Sequence, residues 1–330
     1  MIDEAIGIGC DWGTTSLRAY LLGRDAQILE KIEAQKGIMS VKDGDFEKVF
    51  EEIVGTWMDL YPTCPIVLSG MIGSRQGWLE APYIECPAQL NQLAKKLTVI
   101  NLIRKRKVFL VPGLTFKDEE GIPDVMRGEE IQILGSSSTV DQKEQLICLP
   151  GSHSKWVRVS CGNVIAFSTY MTGETYEAVR KNTILSKTLE PDAWSEEAFI
   201  SGVKYSKRNK NILSQLFHVR TQILFHELST DESTSFISGL LIGHELKSAL
   251  QNSHGLEIHL IGDMALTKIY GDAISEFGKT AIQVDTDIVT AGYYALLKQI
   301  AEHVECHRAL FHTYKKSHLW RSCAASNPMK

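Results

Sequence analysis

No window of the chain approaches the run of about eighteen apolar residues that a membrane-crossing helix needs. The opening Met-Ile-Asp-Glu-Ala also lacks the basic region and cleavage site of a secretory signal. Positive charge is not in excess: 35 Lys and Arg stand against 40 Asp and Glu, for a formal net charge of −5. Such a balance offers no general attraction to nucleic acid or to an anionic membrane. Cys-x-x-Cys pairs are missing too. The seven cysteines (Cys10, Cys64, Cys86, Cys148, Cys161, Cys306, Cys323) are odd in number and widely scattered, which predicts reduced thiols in a cytoplasmic protein.

Three local signatures also fail. Gly271 to Thr280 ends in Gly-Lys-Thr, but six residues rather than four separate its glycines and it follows a helical pattern, so it is not a Walker-type phosphate loop. Neither His226-Glu227-Leu228 nor His244-Glu245-Leu246 reaches a second histidine four residues on, which excludes a zincin site. His303 and His307, with Cys306 between them, could share a helix face, but at a fraying chain end they make a poor metal site.

What is present is ordinary globular composition, 44% hydrophobic and 23% charged, over 330 residues, enough for about two domains with cores of their own. Ile6 to Cys10 is an apolar run, Asp11 to Thr15 reads as a tight turn and Ser16 to Leu22 as the returning strand, with a third strand over Gln27 to Ala34. Apolar residues at Phe46, Val49, Phe50, Ile53, Val54, Trp57 and Leu60 predict a helix covering one sheet face. Pro65 to Ser69 and Lys107 to Val111 read as further buried strands. The same hairpin plan returns about 140 residues later: Leu146 to Pro150, a polar turn at Gly151 to Lys155, then strands over Trp156 to Val159 and Val164 to Phe167. Helices are expected over Glu174–Lys187, Ser195–Lys207, Ile212–His226 and Ser233–Leu250, the last with Ser, Thr or Asp as N-cap. A strand (Glu257–Ile261), a helix (Met264–Phe277), a strand (Thr280–Val284) and a helix (Asp287–His303) complete the pattern.

Several polar segments stand at the ends of these strands. At the first turn, Gly13 allows close backbone approach, Thr14, Thr15 and Ser16 offer hydroxyls and amides to phosphate oxygens, and Asp11 suits a hydrated Mg²⁺. An ordinary hairpin turn uses the same residue types. The second turn supplies Gly151, Ser152, His153, Ser154 and Lys155, a set that can cradle phosphate with lysine as a point charge, or simply form a solvent-facing hairpin loop. Asp124, Arg127, Glu129 and Glu130 cluster at the start of an expected helix; a carboxylate there could take a proton from an attacking hydroxyl while Arg127 pairs with an acidic substrate or a transferring phosphoryl group. Acidic residues also favour helix N-termini for dipole reasons alone. Gly262, Asp263, Ala265 and Leu266 lie at a strand-to-helix turn, the place where α/β folds commonly bind nucleotide, though taken alone they fit a plain structural turn better. Gly70, Met71, Gly73, Ser74, Arg75 and Trp78 form a glycine- and hydroxyl-bearing loop suited to a polar substrate, or simply a structural loop.

Taken together, the duplicated plan resembles the actin, hexokinase and heat-shock ATPase superfamily. The strings Asp-Trp-Gly-Thr-Thr-Ser-Leu-Arg (11–18), Gly-Met-Ile-Gly-Ser (70–74), Val-Met-Arg-Gly-Glu-Glu (125–130), Pro-Gly-Ser-His-Ser-Lys-Trp-Val (150–157), Met-Thr-Gly-Glu (171–174), Phe-Ile-Ser-Gly-Leu-Leu-Ile-Gly (236–243) and Thr-Ala-Gly (290–292) resemble the 2-dehydro-3-deoxygalactonokinase family of sugar-acid kinases. The resemblance implies an α/β protein of two ribonuclease-H-like domains, over 1–140 and 141–305, with an interdomain ATP cleft and a peripheral tail at 306–330. It implies phosphate motifs at Asp11–Ser16 and Gly151–Lys155, an adenosine motif at Gly262–Leu266, and connecting helices near Glu130–Ser137 and Thr290–Gln299. The substrates would be ATP with Mg²⁺ and 2-dehydro-3-deoxy-galactonate. Glu130 is then the catalytic base, with Asp124 as the other candidate, and the sugar-acid site lies at Gly70–Trp78, Arg127 and Glu129. A kinase for another sugar acid and a nucleotide-binding regulatory protein of the superfamily remain the alternatives. A homo-oligomer is left open.

Overall fold

The computed structural model describes residues 5–137, 143–187, 189, 194–251, 253–285 and 287–302. In chain order the elements are β1 (Gly7–Trp12), β2 (Leu17–Leu22), β3 (Ile28–Ala34), α1 (Phe46–Leu60), β4 (Ile66–Ser69), β5 (Tyr83–Glu85), β6 (Ala88–Gln89), β7 (Thr98–Asn101), β8 (Lys107–Leu110), β9 (Gly113–Lys117), β10 (Pro123–Met126) and α2 (Glu129–Ser137). The order continues with β11 (Gln145–Leu149), β12 (Ser154–Ser160), β13 (Asn163–Tyr170), α3 (Thr172–Asn182), α4 (Glu196–Ser206), α5 (Ile212–Leu224), α6 (Ser233–Ala249), β14 (Glu257–Ile261), α7 (Met264–Glu276) and β15 (Ala281–Val284). A further helix covers 288–302. No described helix is long and apolar enough to cross a membrane, and no described cysteine is in a disulfide. The His303–His307 pair and the 306–330 tail lie outside the described residues.

Two compact units divide the chain. The first takes the described residues of Met1–Pro82, Asn91–Pro112 and Thr290–Lys330; the second takes Tyr83–Leu90 and Gly113–Val289. In the first unit the sheet runs β3-β2-β1-β4-β8-β7, antiparallel from β3 to β1 and parallel from β1 through β4 to β8. β1 is buried on both faces except at Asp11, as befits a strand flanked on both sides. α1 covers the sheet through Phe46, Phe50, Val54, Trp57 and Met58, whose spacing puts them on one face. Trp12 is fully buried against Phe46 and Phe50, with ring centroids at 5.8 and 6.2 Å, and its indole N–H donates to the Lys36 carbonyl at 2.7 Å.

The second unit repeats the plan. Its sheet runs β15-β14-β11-β12-β13-β6, antiparallel from β11 to β13 and parallel from β11 through β14 to β15. Each unit therefore has the ribonuclease-H strand order, three antiparallel strands followed by two parallel ones. β5, β9 and β10 form a separate three-stranded sheet in the second unit.

Some sequence-based expectations change. Asp11 and Trp12 end β1 instead of belonging to the turn, which is only Gly13 to Ser16. Asp124 sits on strand β10, antiparallel to β9, and not at a helix start; the helix begins at Glu129. The helix expected to run on to Lys187 ends at Asn182, and α6 is preceded by Glu232 with no side-chain cap, whereas Ser195, Asn211 and Asp263 do cap α4, α5 and α7. The strands over 83–89, 98–101 and 113–117 show no clear apolar alternation, because they are short and half exposed.

Candidate active site

In the first unit, Asp11 lies across from Arg18 on β2 and beside Ser69 on β4. The turn after it is closed by the Gly13 N–H donating to the Ser16 carbonyl at 2.9 Å. The carbonyls of Gly13, Thr14 and Thr15 accept from the N–H groups of Ile38, Met39 and Gly37, which pins the turn while Thr14 and Thr15 stay exposed. Gly37, a residue with no sequence signal beyond being glycine, makes this possible: a Cβ there would stand 2.2 Å from the Thr14 carbonyl oxygen. Gly70 has φ +88° and would bring a Cβ within 2.9 Å of Asp11 Oδ1, so a glycine keeps the approach to that carboxylate open.

A magnesium ion fits this end of the first unit. Among the described residues no group of three or more His, Cys, Asp or Glu side chains could cage a metal, and Mg²⁺ bound with nucleotide needs only one or two carboxylates because water and phosphate fill the rest. Asp11, with Gly70 leaving room beside it, meets that requirement.

The Gly70–Trp78 loop is tied by its own backbone bonds, from the Gly73 N–H to Gly70 and the Trp78 N–H to Ile72. Met71 and Trp78 pack on the core of the unit, Trp78 with its ring 6.0 Å from Phe50, and Gly73 and Ser74 are buried. Arg75 is exposed and pairs with Glu80 at 3.0 Å.

The second unit holds the richer constellation. Glu130, in the first turn of α2, has no exposed surface; its Oε2 accepts the Gly128 N–H at 2.6 Å, while Oε1 is buried without a hydrogen-bond partner. Burial first, and then the charge of Glu129, push its carboxyl up to about 8. Burial also raises half-buried Glu129, against the lowering effect of the Lys155 charge, and Glu129 accepts the Arg127 N–H at 3.0 Å. The Arg127 guanidinium stands 4.3 Å over the Tyr83 ring.

Asp124 is engaged on both oxygens. It accepts the Val125 N–H at 2.7 Å, the Thr169 N–H at 2.7 Å and the Thr169 hydroxyl at 2.6 Å. The Thr169 oxygen in turn accepts from the ammonium of buried Lys155 at 2.9 Å. Asp124, Thr169 and Lys155 thus form one chain of bonds from β10 through β13 to β12. A pocket of about 530 Å³ opens beside Asp124, His153, Lys155 and Thr169. At the turn itself, Ser152 and His153 are exposed, and His153 Nε2 meets Glu174 Oε2 at 2.5 Å.

A second cavity in this unit, of about 310 Å³, is lined by Gly151, Thr172, Gly173, Leu266 and Tyr270 among others, and so joins the second turn to the Gly262–Leu266 segment. Asp263 spends its side chain on capping α7, accepting from the N–H groups of Ala265 and Leu266 at 3.0 and 3.2 Å. The residues that sequence reasoning missed are Gly37, Thr169 and Glu245. Only Glu245 carried a signal, a His-Glu dipeptide that fits no metal motif.

Comparison with known proteins gives a consistent result. The family model described as 2-keto-3-deoxy-galactonokinase matches residues 11–296. The Rhizobium meliloti (strain 1021) protein named "Probable 2-dehydro-3-deoxygalactonokinase DgoK1" is 35% identical over 296 residues, 88% of this chain and 96% of that one. The Escherichia coli (strain K12) protein named 2-dehydro-3-deoxygalactonokinase is 32% identical over 282 residues, 84% and 93% of the two chains. A solved structure from Sinorhizobium meliloti, described as "a putative 2-dehydro-3-deoxygalactonokinase protein", superposes with a TM-score of 0.82 at 34% identity, covering 89% of this chain and 99% of the other.

Proposed function

Because the chain belongs to the 2-keto-3-deoxy-galactonokinase family, we propose that it transfers the γ-phosphoryl group of ATP to the terminal C6 hydroxyl of 2-dehydro-3-deoxy-D-galactonate. The products are the 6-phosphate and ADP. The observation that carries the chemistry is Glu130, a fully buried carboxyl with one oxygen unpartnered and its proton held up to about pH 8. A buried acceptor without a donor is costly unless a ligand supplies one, and the attacking hydroxyl is such a donor. Ionised Glu130 takes the hydroxyl proton as the new O–P bond forms; the bond from γ-phosphorus to the bridging oxygen breaks, and ADP leaves with the electron pair.

Lys155 adds positive charge where negative charge develops on the phosphoryl oxygens, and the bonds through Thr169 to Asp124 hold it there. Asp124 is therefore a positioning residue on this assignment, since three donors already engage its two oxygens. Arg127 is the cation offered to the sugar acid's carboxylate, with Tyr83 fixing the plane of its guanidinium. In the second unit Gly151 and Ser152 supply hydroxyls and amides to phosphate oxygens and the cavity beside Leu266 takes the nucleoside; in the first unit Thr14, Thr15 and Ser16 offer groups of the same kind. Asp11 would hold a hydrated Mg²⁺, which would supply positive charge to the phosphates when bound.

An ADP-release assay over a panel of 2-keto-3-deoxy sugar acids tests the assignment. Turnover is expected with the galacto epimer in preference to the others, and no turnover with any of them refutes it. ATP hydrolysis that no sugar acid stimulates would identify a nucleotide-binding regulatory protein instead.

A further inference from the structure

Glu245 is 3% exposed, lies near the middle of no motif, and has no part in the chemistry above. Its Oε1 accepts the Trp156 indole N–H at 2.7 Å, and its Oε2 accepts the Tyr270 hydroxyl at 2.8 Å and the Thr172 hydroxyl. The four side chains come from α6, β12, α7 and α3. Tyr270 also bonds the buried Ser154 hydroxyl at 2.8 Å. One carboxylate therefore ties the strand leaving the Gly151–Lys155 turn to the helix that begins within Gly262–Leu266 and to the helix whose Gly173 packs against that turn, where a Cβ would stand 2.6 Å from the Gly151 oxygen.

The direction of these bonds matters as much as their number. Each hydroxyl has one proton, and both Thr172 and Tyr270 give theirs to Glu245. Ser154 must then donate to Tyr270, so that oxygen is also engaged. Thr172 faces the 310 Å³ cavity with lone pairs alone. We propose that Glu245 is the positioning residue of the nucleotide site, holding phosphate turn and nucleoside cavity in register and fixing Thr172 as an acceptor for a donor group of the nucleoside, a ribose hydroxyl or an exocyclic amine. The inference rests on the cavity taking the nucleotide, as the kinase assignment requires.

The test is binding and kinetics with ATP on the full chain. Glu245→Gln cannot accept all of these bonds, because its amide presents N–H where the carboxylate presented oxygen. It should raise the ATP dissociation constant and KM at least tenfold while leaving the sugar-acid KM within about twofold. Thr172→Val should do the same without touching the buried carboxyl, and Thr172→Ser, which keeps the hydroxyl, should stay within about threefold of the parent chain. A tenfold loss with 2′-deoxy-ATP that Thr172→Val abolishes identifies the ribose hydroxyl as the donor; the same behaviour with ITP identifies the amine. If Glu245→Gln lowers only the melting temperature and the active fraction, or if Thr172→Val binds ATP as tightly as the parent chain, the proposal fails. ATP binding without transfer to any sugar acid would overturn the kinase assignment and leave this one standing, because its readout is ATP binding.

Discussion

Replacing Glu130 with glutamine should cut turnover by orders of magnitude and stabilise the protein at alkaline pH, a combination that few substitutions produce. The folded chain holds the Glu130 proton up to about 8, whereas a freely solvated glutamate releases it near 4.5. That difference corresponds to roughly 5 kcal/mol of preference for the protonated form in the folded state. Its sign follows from the folded chain binding the proton more tightly: the contribution is complete below pH 4.5, falls as pH rises, and is gone above about 8. Between about pH 6 and pH 9 the parent chain should lose about 2–3 kcal/mol relative to Glu130→Gln, whose amide mimics the neutral acid and keeps an oxygen for the Gly128 N–H. Melting curves of the two chains across that range should diverge by several degrees as pH rises. In the ADP-release assay kcat should fall by about 10²–10⁴, the usual worth of a general base. The parent chain's kcat/KM should show an acid limb near pH 8. A melting difference that stays constant with pH, or a variant keeping more than about a tenth of kcat, would refute the role given to this carboxyl.

Other substitutions separate the remaining roles. Asp124→Asn should lower stability by about 1–3 kcal/mol by unsettling the acceptors of Thr169 and should raise the ATP KM; a fall in kcat alone, with ATP KM and melting temperature unchanged, would make Asp124 the base instead. Gly37→Ala forces a Cβ to within 2.2 Å of the Thr14 oxygen, and denaturant unfolding should register a loss of about 1–3 kcal/mol; unaltered stability would mean that the turn yields freely. Asp11→Asn should raise the magnesium concentration for half-maximal turnover about tenfold, since a neutral amide is a weaker ligand for a hard cation; an unchanged magnesium titration would remove Asp11 from the metal site.

Much of the fold was legible because its central strands leave a strong trace. β1 and β11 are buried from end to end, apart from Asp11, and read as apolar runs, and the polar residues that follow each stand out by contrast. The small sheet of β5, β9 and β10 left none, since its strands are short and mix exposed with buried positions, and the acidic residues around Asp124 imitate a helix start. The site residues were legible as types and not as partners. Nothing along the chain announces that Asp124 is engaged by Thr169, 45 residues away, or that Glu245 reaches Trp156, 89 residues away. Such pairings depend on which strands become neighbours, and that is decided by tertiary packing.

The interleaving of the two units has a consequence for biosynthesis. Within the first unit, the Ser69 hydroxyl bonds the Tyr293 hydroxyl at 2.6 Å across 224 residues of sequence, and the Tyr293 ring fills the space above Gly9. A nascent chain that has emerged only as far as residue 289 can already contain every strand of the second unit. It still lacks most of the helix that seals the first, so β1 keeps an open face until the segment around Tyr293 has been synthesised. During that interval the ribosome holds a finished C-terminal body behind an unfinished N-terminal one, and it is on the N-terminal sheet that a chaperone would have most apolar surface to cover.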